Sequence, residues 1–68
     1  MFLTLEIERE VDGRYVAAIP ELPGVLAYGT TEDEAASKAE VLALRVLAEQ
    51  LELGEAKPQQ INIAIVAA

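Results

Sequence analysis

The stretch IPELPGVLAYGTT, Ile19 to Thr31, decides how this chain is read, because it holds a turn, a strand and a helix start in one run. Pro20, Pro23 and Gly24 fall within five residues. Proline fixes φ near about −65° and glycine tolerates positive φ, so Pro23-Gly24 suits the centre of a type II turn. VLAY, Val25 to Tyr28, is then short but compatible with a strand that Gly29 ends. Thr31 followed by Glu34 has capping-box spacing: the hydroxyl accepts from the amide three residues on, and the carboxylate reaches back to the cap amide. Glu32 and Asp33 suit the positive end of a helix dipole.

Upstream, FLTLEIER alternates Leu3, Leu5 and Ile7 with Thr4, Glu6 and Glu8, the period-two pattern of a half-buried antiparallel strand. A second strand runs from Arg14 to Ala18 and on through Ile19, and Asp12-Gly13 between the two signals a hairpin. A two-residue loop sets Ile7 opposite Ala18 and Glu6 opposite Ile19, mixing acid and apolar residues on one face. A three-residue loop of Val11, Asp12 and Gly13, with Gly13 left-handed, pairs Leu5 with Ile19, Ile7 with Ala17 and Glu10 with Arg14. The second register separates the faces and is the expected one. It places Glu6 and Glu8 on the outer face beside Ala18 and Val16.

Downstream, Glu32 to about Leu53 consists of strong helix formers, and Gly54 suits the stop. Ala35, Ala39, Leu42, Ala43, Val46 and Leu47 form one broad stripe expected to pack on the sheet, the small alanines allowing close approach. Glu34, Lys38, Arg45, Glu49 and Glu52 group on another face. A second apolar stripe, Val41, Leu44, Ala48 and Leu51, recurs at spacings of three, four and three, and is expected to be an oligomer interface. After the Pro58 loop, Ile61 to Val66 reads as a fourth strand. A right-handed crossover lays it parallel to strand one at the sheet edge. The expected fold is α+β: a three-stranded antiparallel meander, one long helix on one face, and a β-β-β-α-β order with sheet order 3-2-1-4.

Sixty-eight residues allow one small core, so a single domain spanning 1–68 is expected. A domain of this size without disulfides or metals is marginal alone and gains stability by oligomerising. The composition, 53% apolar and 25% charged, is too hydrophobic for a disordered chain and too evenly interrupted for a membrane protein. The start MFLTLEIERE lacks a basic segment before its apolar run, so a cytoplasmic location is the default expectation. A net charge of −7 repels phosphate, which argues against direct nucleic-acid binding and suits a basic protein partner.

Histidine, cysteine and tryptophan are absent, which removes the commonest general base, the thiolate nucleophile and most transition-metal ligands. Ser37, Thr30, Thr31 and Lys38 form no triad, and Gly24 and Gly29 belong to no phosphate-binding motif. Glu6, Glu8 and Glu10 form an alternating ladder able in principle to gather around Mg²⁺, but such a ladder is ordinary on the wet face of a strand. No catalytic residue, metal or cofactor is expected.

The run EVDGRYVAAIPELPGVLAYGTTEDEAA, Glu10 to Ala36, resembles the HicB-like antitoxin family. The shared features are the Asp-Gly hairpin, a Tyr and small residues in strand two, the P-x-L-P-G-V turn, and G-x-T with an acidic helix start. The resemblance extends over nearly the whole chain if the helix and last strand are included. It implies a partial RNase H-like fold without nuclease activity. It also implies a binding role, the neutralisation of a small basic HicA-type mRNA-cleaving toxin by direct contact. Full-length members add a C-terminal DNA-binding module that these 68 residues do not contain. Expected partner contacts are Glu6, Glu8, Glu21, Leu22 and Tyr28. The alternatives are an accessory homo-oligomer with no toxin partner and a carboxylate-metal hydrolase.

Overall fold

A computed structural model describes residues 1–67 and gives the order β1 (Phe2–Arg9), β2 (Tyr15–Ala18), β3 (Leu26–Gly29), α1 (Glu32–Glu52) and β4 (Asn62–Ala67). The sheet order is β3-β2-β1-β4, with β1 antiparallel to β2, β2 antiparallel to β3 and β4 parallel to β1. This is the α+β arrangement the alternation and the crossover rule predict.

The hairpin takes the face-separating register, with Ile7 opposite Ala17, Glu6 opposite Ala18 and Glu8 opposite Val16. The Glu10 amide donates to the Arg14 carbonyl at 2.7 Å, and Gly13 has φ 91°. A three-residue loop therefore closes the pair.

From β2 to β3 the chain makes two successive tight turns. The Leu22 amide donates to the Ile19 carbonyl at 2.9 Å, and the Val25 amide to the Leu22 carbonyl at 3.0 Å. Each turn has a proline at its second position, and the second places Gly24 at φ 87°, the positive value a type II turn requires. The Ile19 amide then bonds the Val25 carbonyl at 3.1 Å, so the turns bring β3 back beside β2. The strand assignment itself begins at Leu26, one residue later than the sequence suggests.

The start of α1 departs from the expected capping box in one detail. Thr31 caps as predicted, its Oγ1 accepting from the Glu34 amide at 3.1 Å. The Glu34 carboxylate, however, reaches one residue further back, to the Thr30 amide at 3.2 Å and the Thr30 hydroxyl at 3.4 Å. Both of its oxygens thus hold the segment between β3 and the cap. At the other end the Glu55 amide bonds the Gln50 carbonyl and the Gly54 amide bonds the Leu51 carbonyl, with Gly54 at φ 73°. This pair of bonds is a Schellman stop.

The core comprises Leu3, Leu5 and Ile7 of β1, Ala17, Ile19 and Val25, and Ala35, Ala39, Ala43 and Leu47 of α1. The buried helix seam is narrower than the broad stripe expected. Val46 is half-buried, and Leu42 stays 37% exposed. Spacing by four along the buried alanines keeps one narrow line against the sheet, which leaves Leu42 on the rim. Helix α1 packs on β1, β2 and β3, and its backbone approaches none of β4. Among the described residues no helix is long and apolar enough to cross a membrane.

Candidate functional site

The helix covers one face of the sheet, so alternate residues on the other face meet solvent. Strand pairing arranges those that span β1, β2 and β3 in two rows. One runs Tyr28, Val16, Glu8; the other runs Leu26, Ala18, Glu6, Val66. Glu6, Glu8, Val16 and Ala18 border a shallow depression of about 170 Å³. Apolar floor and acidic wall therefore lie side by side across β1 and β2.

The two carboxylates are exposed, and among the described residues neither is held by a hydrogen bond or an ion pair. Tyr28 is more constrained. The Arg14 guanidinium lies 4.7 Å from the centre of its ring, and the same Arg14 donates from Nε to the Asp12 carboxylate at 2.8 Å. Arg14 thus fixes a large amphipathic side chain at the margin of the face while its own charge is met by Asp12. Its backbone amide also donates to Asp12 at 3.0 Å, and these bonds hold the Asp12 carboxyl below its ordinary range.

Glu21 and Leu22 lie where the sequence places them, in the turns, but the structure gives each an internal task. Continuing the β1–β2 register puts Pro20 opposite Thr4, but Pro20 is already the second residue of the first turn, and the ladder stops at Glu6 and Ala18 without a bond from the Thr4 amide to the Pro20 carbonyl. The Glu21 carboxylate takes over there, accepting from the Thr4 amide and the Thr4 hydroxyl, each at 2.9 Å. Leu22 is half-buried against the core. The two residues close the end of the sheet beside the candidate face.

The hydrogen bond from the Thr4 amide does most to hold the Glu21 carboxyl below its ordinary 4.5. A depressed folded-state pKa means stability that is present above the unfolded value and lost as pH falls through the folded one. Acidification below about pH 4.5 is thus expected to release the Thr4 clasp. Neutralising the other carboxylates meanwhile relieves self-repulsion, so the contrast with Glu21→Gln isolates the clasp. Thermal melts between pH 6 and 3 are expected to show a smaller acid-induced fall in Tm for Glu21→Gln than for the parent chain, with equal falls contradicting the assignment.

Among the described residues no three His, Cys, Asp or Glu side chains gather closely enough to hold a metal ion. Val41, Leu44, Ala48 and Leu51 lie together on the exposed side of α1, away from the acidic rows. The residues not singled out from sequence are Leu26 and Val66, which complete the second row, and Phe2, 79% exposed further along β1. Alternation within each strand assigns them to this face once the β1–β4 and β2–β3 registers are known. No family model, curated protein or solved structure matches the chain.

Proposed function

We propose that the chain is an antitoxin-like protein-binding module whose open sheet face covers a small basic mRNA-cleaving toxin of the HicA type, without catalysis of its own. The observation that carries this reading is the uncovered face itself. Among the described residues Glu6 and Glu8 stand unpaired beside Val16 and Ala18, with Tyr28 braced at the margin. Arginine and lysine combine apolar stems with charged heads, so a basic surface matches both halves of this pattern. The net charge of −7 steers such a partner toward the chain and opposes nucleic acid. The HicB-like run from Glu10 to Ala36 supplies the class of partner. We also propose a cytoplasmic location, where such a toxin acts.

The test is calorimetric titration with a catalytically inactive small basic protein encoded beside this chain. Submicromolar binding that weakens with salt is expected, and Glu6→Lys with Glu8→Lys should weaken it by about a hundredfold, or about 2.7 kcal/mol. Binding unchanged by the double reversal, or no binding at all, contradicts the proposal.

A further inference from the structure

An α-helix is about 10 Å across and strands lie about 4.8 Å apart, so one helix cannot cover a four-stranded sheet, and α1, packed on β1, β2 and β3, leaves β4 without a helix above it. The consequence is visible in one pair of neighbours. Leu5 and Ile65 are register partners in β1 and β4 and therefore share the helix-side face, yet Leu5 is wholly buried and Ile65 is 63% exposed. Ile63, two residues earlier on the same face, is half-buried against the core, so the open place over β4 lies at Ile65.

The bordering side of α1 is apolar as well. At about 100° per residue, Val41, Leu44, Ala48 and Leu51 centre roughly 140° around the helix from the buried seam. Leu51 lines a small groove with Met1, Leu47 and Ile61, which shows that this side of the helix turns toward the β1–β4 edge. Val41, Leu44, Leu51, Ile61 and Ile65 are all exposed. The chain measures 40 × 17 × 17 Å with a radius of gyration of 12.5 Å, against about 11 Å for a compact domain of this length. Its accessible surface is 4665 Å², about 500 Å² above that of an average monomer of this mass. That excess approaches the ~800 Å² each partner contributes to a standard interface.

We propose that a second copy of this chain fills the place. Its helix stripe lies over β4 and alongside α1, and the contact is reciprocal about a two-fold axis, so that two helices run side by side between two sheets. The strip matches itself: Val41, Leu44, Ala48, Leu51, Ile61 and Ile65 offer a basic partner only the bordering Glu40, half-buried between the seam and the stripe, whereas a two-fold axis sets this apolar strip against the same strip of a second copy. The acidic rows lie on the opposite face of the sheet and stay free, so this contact stands or falls separately from toxin binding.

Sedimentation equilibrium between about 5 and 200 µM is expected to give twice the 7.3 kDa chain mass. Association should tighten severalfold as salt rises from about 50 to 500 mM, because screening relieves like-charge repulsion. This sign is opposite to that expected for a basic partner. Leu44→Glu with Leu51→Glu, and separately Ile65→Glu, should each weaken the dimer at least a hundredfold while far-ultraviolet circular dichroism stays unchanged. The chain has no cysteine, so a mixture of Leu51→Cys and Ile65→Cys chains, joined by a short bismaleimide, reads the helix-to-β4 contact without relying on a disruptive charge. A cross-linked heterodimer is expected. A monomer at every concentration, a dimer that survives Ile65→Glu, or no heterodimeric cross-link overturns the proposal.

Discussion

Replacing Gly29 with alanine is expected to lower the unfolding free energy by about 2–3 kcal/mol and Tm by roughly 10–20 °C. A Cβ at this position would lie 2.5 Å from the Ala35 amide nitrogen, 2.9 Å from the Glu34 Cβ and 3.0 Å from the Glu34 carbonyl carbon. Two of these three atoms are backbone, so relief requires the first turn of α1 to lift from the end of β3. The lift also strains the bonds from Glu34 to Thr30 and Thr31 that hold the helix start. Glycine is needed here for close approach. Gly24→Ala, where no atom lies within 4 Å of the added Cβ, tests the contrast, because its cost is confined to the positive φ of the turn. A Gly29→Ala melt within about 2 °C of the parent contradicts the close-approach account.

A comparable or larger loss is expected for Leu5→Ala, about 3–5 kcal/mol by urea denaturation at low protein concentration. Leu5 is wholly buried and, with Ile19, is among the largest side chains fully enclosed. It sits on β1, a central strand paired on both sides, and faces the helix seam of small alanines. Those alanines have no longer side chain to swing into the vacated space. The cavity therefore stays open, which places the cost toward the upper end of the range for leucine deletions. Domains of this size hold only about 3–10 kcal/mol in total. A measurably unfolded population in buffer is the expected phenotype, whereas a loss below about 1 kcal/mol would mean that the sheet and helix close the gap.

How far the sequence carries the fold follows from which forces are local. The alternation of Leu3, Leu5 and Ile7 with Glu6 and Glu8 leaves one register that separates the faces, and β1 and β2 pair in it. The Pro23-Gly24 turn, the Thr31 cap and the Gly54 stop are chemistry of single residues, and each sits where its side chain or φ demands. What resists reading depends on lateral position. Ile65 alternates like a half-buried strand residue, but its exposure depends on where α1 rests across the sheet. Leu42 falls within a broad apolar stripe on a helical wheel, yet the helix settles on a narrower line. Glu21 reads as a free turn carboxylate because nothing local reveals that the β1–β2 ladder stops before Pro20 and leaves the Thr4 amide to another acceptor. The same limit applies to the candidate face. Glu6, Glu8, Val16 and Ala18 follow from the hairpin register, whereas Leu26 and Val66 join them through pairings between elements far apart in the chain.

The binding account is tested most directly by methyl-labelled nuclear magnetic resonance of the chain titrated with the inactive small basic protein. The largest shifts are predicted at the methyl groups of Val16, Ala18 and Leu26, with Leu44 and Leu51 on the opposite side of the molecule unmoved. Shifts concentrated at Leu44 and Leu51 while Val16 and Ala18 stay silent would contradict it, because the partner would then occupy the helix and leave the acidic rows bare.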